Sequence, residues 1–446
     1  MLETIRNAFK IKDIRGKIIF TFICILIVRL GSQLPIVGAN LDAISNAFKG
    51  NTNEALGFFD AMTGGSFTSF SIFALNISPY ITASIIMQLL TIAIPALEEL
   101  QKDGESGRKK IASYSRYLTV ILALIEGTAM TVGFRNQGAL NLDGATAYIV
   151  VISSLVAGST FLMWLGEKIT DRGIGNGISI ILTVNIISRV PQDMMNLWNQ
   201  FIVNSNNVIN QIIAIVVIVA VIVGMVVFII LLNGGERRIP VQYSKKVQGR
   251  KVVGGQSTHI PMKVNTAGVI PVIFASSLLS FPVLIAGFFG VQPGSGAGVG
   301  FGPKLLKLMN SGSWFNISSL AEFKYTVGVL FYIALLIFFA YFYTTITFNP
   351  MEVANNMKKN GGFIPGIRPG KTTVDFLARV TNNVVMIGAL GLCVVAVVPY
   401  IFGGVFSAKV SFGGTSLIII VGVVLETMKQ IESQMLVRHY RGFLND

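Results

Sequence analysis

The chain has 446 residues, of which 52% are hydrophobic and only 13% charged, with a mean hydropathy of +0.67. That balance is too apolar for a soluble globule and belongs to polytopic membrane proteins. A net charge of +14 would point to nucleic acid in a soluble protein; here topology and attraction to anionic lipid account for it, and no direct sequence-specific nucleic-acid binding is expected.

The apolar runs are about 17–25 residues long, the length of bilayer-crossing helices and too long for barrel strands. The predicted fold class is therefore all-α, with spans over 18–34, 72–95, 113–134, 147–165, 175–190, 209–232, 267–289, 325–348, 377–400 and 411–428. Before the first span, MLETIRNAFKIKDIRGK mixes acids with cations, and no A-x-A-like site follows, so no cleaved leader is expected. Within that span Arg29 is expected to be structural, reaching the exterior interface by snorkelling.

The stretch 56–90 is broken into two apolar halves by Gly64, Gly65 and Pro79. Irregular backbone at membrane depth survives only where protein or a water-filled cavity surrounds it, so a cavity is expected there. Span three carries Glu126, the one carboxylate expected near the membrane midplane, a costly placement that marks a functional surface. Cys24 and Cys393 fall inside apolar runs and read as buried free thiols. His259 and His439 are too few for a metal site, so no metal or cofactor is expected.

Between the spans, about 27 Lys and Arg fall on the side of the N-terminus and about seven on the other, which puts both termini in the cytoplasm. The loop ERRIPVQYSKKVQGRKVVGGQSTHIPMK is longer than orientation requires and is a candidate dock for a cytoplasmic partner. GIRPGKTT (366–373) is one residue short of a P-loop and carries Pro369 where a donor is needed. GIGNG (173–177) lacks a Rossmann context and is expected to open span five. No nucleophile–base constellation stands out, so no enzyme is expected.

Two pairs of segments match. Residues 77–84 align with 269–276 at Pro, Ile, Ala and Ser, and 177–182 align with 414–419. They join spans two with seven and five with ten, running oppositely. That is the pattern of an inverted repeat, with halves 1–205 and 206–446 and a pathway between them.

The motifs GESGRKK (104–110), FLMWLGEKITDRGIGNGISI (161–180), QSTHIPMKVN (256–265), FNPMEVANNMKK (348–359) and FIPGIRPG (363–370) resemble the bacterial SecY family of protein-translocation channels, over almost the whole chain. The resemblance implies a ten-helix clam in the bacterial cytoplasmic membrane that moves unfolded proteins across and releases hydrophobic segments sideways. It places an aliphatic pore ring on Ile77, Ile81, Ile178, Leu182, Ile273 and Ile419, with Leu182 standing where relatives often carry Ile. It places a plug over 56–72, including Gly64, Gly65, Ser66, Phe67 and Thr68, and a lateral gate at Thr82, Glu126 and Ser277, between spans two/three and seven/eight. SecA or ribosome docking is implied for the loops 233–265 and 349–375, at Arg237, Arg238, Lys245, Lys246, Arg250, Lys251 and Arg368. SecE and SecG subunits, signal peptides, nascent polypeptides and membrane lipid are the other implied partners. On physics alone two alternatives stand: an inverted-repeat secondary transporter for a small solute, and a scaffold without a continuous pore.

Overall fold

The computed structural model describes residues 6, 8–40, 60, 62–136, 138, 140, 144–203, 208–243, 246–248, 251–253, 257–288, 291, 300–311, 314–315, 324–406 and 414–442. Ten long helices follow in order: α1 (Lys12–Gly31), α2 (Ser78–Ala93), α3 (Glu105–Asn136), α4 (Ala145–Arg172), α5 (Gly177–Trp198), α6 (Val208–Gly234), α7 (Ile270–Phe288), α8 (Val327–Thr347), α9 (Lys371–Phe406) and α10 (Gly414–Gly442). They coincide with the ten predicted spans. Several continue past the apolar stretch at the cation-rich face, where α3 begins at Glu105, α9 begins at Lys371 and α10 runs to Gly442. Those extra turns carry charges that a hydrocarbon core excludes.

Among the described residues, α3, α4, α6, α8 and α9 are each long and apolar enough to cross a membrane, and α2 with the short helix behind it makes a bent sixth. The remaining four are weaker for a physical reason. The apolar part of α7 spans only Ile270–Val283, and α5 carries Thr183, Asn185 and Asp193, which it buries against protein. Polar groups at membrane depth are tolerable only on such inward faces. The opposite extreme is α6, whose Ile212, Val216, Val219 and Val223 are exposed and suit a lipid-facing rim.

Helix adjacency repeats with a period of five. α1 packs on α4 and α5, α2 on α3, α3 on α4, and α4 on α5; in the same way α6 packs on α9 and α10, α7 on α8, α8 on α9, and α9 on α10. The halves meet through α2–α7, α3–α7 and α5–α10. Aligned residues also start matching helices, since α2 opens on Ser78–Pro79 and α7 on Ile270–Pro271, while α5 opens on Gly177 and α10 on Gly414.

One expectation needs correction. The second span does not start at residue 72: residues 72–77 form turns, and Pro79 sits in the first turn of α2, where its missing N–H is no loss. Pro79 opens a helix and does not interrupt one. The true break is at the other end, where Ile94 before Pro95 is extended and the short helix Pro95–Lys102 leaves at 100°. The long loop 233–265 is folded into strands. It holds β1 (Glu236–Tyr243), β2 (Lys246–Gln248), β3 (Lys251–Val253) and β4 (Ser257–Lys263). β1 pairs antiparallel with β4 from Glu236↔Lys263 to Gln242↔Ser257, and its other edge takes β5 (Gly362–Phe363); β2 pairs with β3. Ile239, Val241 and Met262 close a small core with Met357 and Ala354 of the short helix Pro350–Lys359, and with Ile364 and Leu377.

One close approach fixes α5 against α4. Gly177 abuts the Gly166 carbonyl, and a Cβ there would collide with it and reach the Cβ of Ile169 at 2.7 Å. Gly177→Val is expected to lower stability by about 1–3 kcal/mol through overpacking, read as a fall in Tm of the detergent-solubilised protein.

Candidate pore and gate site

The turn before α5 shows how sequence sets a site residue. The Asn176 side chain caps the helix by accepting from the N–H of Ile178 (3.2 Å) and of Ser179 (3.4 Å), while the Gly177 N–H donates to Thr170 Oγ1 at 2.9 Å. Ile178 and Leu182 then lie one turn apart, at i and i+4. The same spacing joins Ile77 and Ile81 at the start of α2, where the Ile81 N–H donates to the Ile77 carbonyl at 3.0 Å. With Ile273 of α7 and Ile419 of α10, these residues belong to one hydrophobic cluster. Five of the six are buried, and Ile178 is partly buried against the others.

Beside this cluster is a cavity of about 30 Å³, room for a few waters and not for a polypeptide. Ile81 and Leu182 form part of its wall, together with Thr82, Glu126 and Ser277. Met62, Thr63 and Asn76 close it from the 56–72 side. Thr82, Glu126 and Ser277, from α2, α3 and α7, thus share one cavity wall, and α2 and α3 both pack on α7. Glu126 is only 2% exposed and its Oε1 has no hydrogen-bond partner.

In the proposed plug segment, residues 56–59 and 61 lie outside the described residues. Gly64, Ser66 and Phe67 are buried, and Gly65 and Thr68 are partly so. Positive φ at Gly64 (67°) and Gly65 (86°) folds the chain back on itself. Asp60 is 2% exposed, accepts the Thr68 N–H at 3.0 Å, and pairs with Arg189 of α5 at 2.6 Å. Burial pushes the Asp60 carboxyl above the usual carboxylate range, with Arg189 and the Thr68 bonds pulling the other way. Phe67 and Phe70 are fully buried, with ring centroids 5.9 and 4.7 Å from that of Phe134 on α3.

Arg29 does not snorkel outward. Its Nη1 donates to the Gly64 carbonyl and to Asn185 Oδ1, both at 3.4 Å, because α1 packs on α5 with this side chain turned inward. Asn185 continues the chain by donating to Asn76 Oδ1 (3.3 Å), and Asn76 donates to the Met62 carbonyl (2.8 Å). A Cβ at Gly64 would come within 2.7 Å of Arg29 Nη1 and 2.9 Å of the Asn185 carbonyl oxygen, so only glycine fits. Sequence reading missed Asp60, Asn76, Asn185 and Arg189. The available signal was a carboxylate in an apolar stretch and an arginine at the exterior end of a span. Glu126 is accordingly not the only buried carboxylate at the site.

On the cation-rich face, Arg237 and Arg238 are exposed on β1, where Arg238 pairs with Glu236 at 2.6 Å. Lys246 and Lys251 lie on β2 and β3, while Lys245 and Arg250 fall outside the described residues. Arg368 is exposed in the turn between β5 and α9, its carbonyl accepting from Thr373 Oγ1 at 2.9 Å. Because Gln242 of β1 pairs with Phe363 of β5, the long loop and the Arg368 turn form one platform.

A family model described as SecY matches residues 71–428. The chain is 41% identical to "Protein translocase subunit SecY" of Halalkalibacterium halodurans, over 100% of both chains. It is 39% identical to the protein of that name from Thermotoga maritima, over 100% of this chain and 98% of that one. Among solved structures it resembles a SecY channel whose plug domain is described as stabilising the closed state, with a TM-score of 0.63 at 18% identity, covering 94% and 92% of the two chains. It also resembles the Sec61 channel of a canine ribosome–channel complex, with a TM-score of 0.55 at 17% identity and the same coverage.

Proposed function

The chain belongs to the SecY family, and we propose that it forms a protein-conducting channel, which passes unfolded secretory polypeptides across the bacterial cytoplasmic membrane and releases hydrophobic segments sideways into lipid. The observation that carries this reading is the one cavity shared by aliphatic, gate and plug-side residues. Ile77, Ile81, Ile178, Leu182, Ile273 and Ile419 act as a dry ring. Branched alkyl groups offer ions no replacement for hydration, yet they part around an extended chain. Residues 56–72 act as the plug, Thr82, Glu126 and Ser277 as the lateral gate, and 1–205 and 206–446 as the two halves that separate. A small-solute transporter would need a polar binding constellation at this depth, and the aliphatic ring argues against one.

SecE and SecG are the proposed companion subunits. The platform carrying Arg237, Arg238, Lys246, Lys251 and Arg368 is the proposed dock for SecA or a ribosome, with Lys245 and Arg250, which lie outside the described residues, proposed for the same role. Reconstitution with SecE, SecA and a model preprotein tests the whole reading: ATP-dependent protection of the preprotein from added protease is expected, and its absence would refute channel function. Arg368→Glu should weaken SecA affinity about tenfold or more, since a lost charge-assisted contact is worth about 1.5–3 kcal/mol. Unchanged SecA binding and translocation would remove Arg368 from the dock.

A further inference from the structure

Among the described residues, the wall of the gate cavity carries one ionisable side chain, Glu126, and no cation. Around Glu126 the wall offers hydroxyls of Thr63, Ser78, Thr82, Ser277 and Ser280, the Asn76 amide, and otherwise apolar groups. The charged groups nearby are engaged elsewhere, Asp60 of the 56–72 segment with Arg189 of α5, and Arg29 of α1 with Gly64 and Asn185. Among the described residues, the elements packed on α3 bring no cation to the cavity wall. α7 has no titratable residue, and α2 has only Tyr80. On α4 the titratable groups occupy the end turns, Tyr148 against Arg135 at one end and Glu167, Lys168, Asp171 and Arg172 at the other. The short helix before α3 carries Glu98, Glu99 and Lys102 on its exposed surface.

A carboxylate buried without a cation costs several kcal/mol, whereas the neutral acid can remain and donate to a hydroxyl. Separating α3 from α7 would admit water and remove that cost. We propose that Glu126 holds a proton while the gate is closed and releases it on opening, so that each gating event is coupled to one proton. The acid O–H bond breaks, its electron pair stays on the carboxylate, and the proton passes to the entering water. This rests on the reading of Thr82, Glu126 and Ser277 as the gate. The closed form binds more protons, so raising pH favours opening, by up to about tenfold in the open-to-closed ratio per pH unit between the ionisation ranges of the two forms.

The test uses the full complex in nanodiscs, with Cys24→Ala and Cys393→Ala, and dyes attached through Ile92→Cys and Thr266→Cys at the cation-rich ends of α2 and α7. A capped synthetic signal peptide whose only charges are Arg opens the gate, and the half-opening concentration is measured from about pH 5 to 9. It should fall by up to about tenfold per pH unit over part of that range. Glu126→Gln should flatten the profile, and Glu126→Asp should keep a displaced one. A flat profile in the unsubstituted complex, or a slope that survives Glu126→Gln, would overturn proton coupling. A shift produced by sodium at fixed pH, in place of a shift with pH, would overturn it in favour of a bound cation. The gate reading fails separately, if an oxidised Thr82→Cys/Ser277→Cys bridge leaves translocation running.

Discussion

A variant carrying Thr82→Cys and Ser277→Cys is expected to stop translocating when oxidised and to recover fully on reduction. Both side chains line one cavity of about 30 Å³ between α2, α3 and α7, which brings them to the same small space. A disulfide forms only with Cα atoms about 4.4–6.8 Å apart, and a short bismaleimide serves if the pair sits slightly wider. A covalent bond across the seam outweighs any non-covalent force a signal sequence can apply to it. Residual transport should therefore track the uncrosslinked fraction, for secretion and for membrane insertion alike. Cys24 and Cys393 are buried at 3% and 6% exposure, so they compete poorly for oxidant. The single-cysteine variants should behave as the parent. A fully crosslinked protein that still transports would show that the seam is not the gate and would favour a scaffold.

Those two residues came from different kinds of information. The helices carrying them were legible because length and apolarity dominate in a bilayer, and the alternation of cationic loops fixed their count and direction. The repeat was legible as short matches, and its strongest support is local: Pro79 with Pro271, and Gly177 with Gly414, stand at the starts of matching helices. Side-chain facing was less accessible. Spacing put Ile77 with Ile81 and Ile178 with Leu182, but only resemblance selected them from dozens of equally apolar positions.

What escaped reading was long-range or atypical. The sheet on the cation-rich face has Ile239 and Val241 inward in alternation, yet Pro240 and Pro261 lie within its strands, and proline demotes a strand in any propensity argument. Arg29 shows the limit of a one-residue rule: an arginine near a helix end usually reaches for the interface, but here a glycine carbonyl and an asparagine 156 residues away receive it first. The pairing of Asp60 with Arg189 links the 56–72 segment to a distant span, and no local pattern announces such a contact.

That pairing carries the second large expectation. Asp60 and Arg189 are held 2.6 Å apart with Asp60 2% exposed, and the network through Arg29, Asn185 and Asn76 fastens the same segment at Gly64 and Met62. Removing one partner of a buried pair leaves an uncompensated charge, at about 3–5 kcal/mol. If the segment is a plug, that cost falls on the seated state, and Arg189→Met should raise the unseated population by about 10²–10³-fold or more. Removing both charges should cost far less, since a buried pair replaced by apolar groups of similar volume is often neutral. The expected order of ion leak in proteoliposomes is thus Arg189→Met well above the parent, and Asp60→Leu/Arg189→Met falling back toward it. Deleting 65–70 should leak most, because it also discards the Phe67 and Phe70 rings packed on Phe134. Equal leak from the single and double variants would mean that the pair has no special role in seating the segment. No leak from the deletion would mean that residues 56–72 do not seal the channel, and the ring alone would then have to hold back ions.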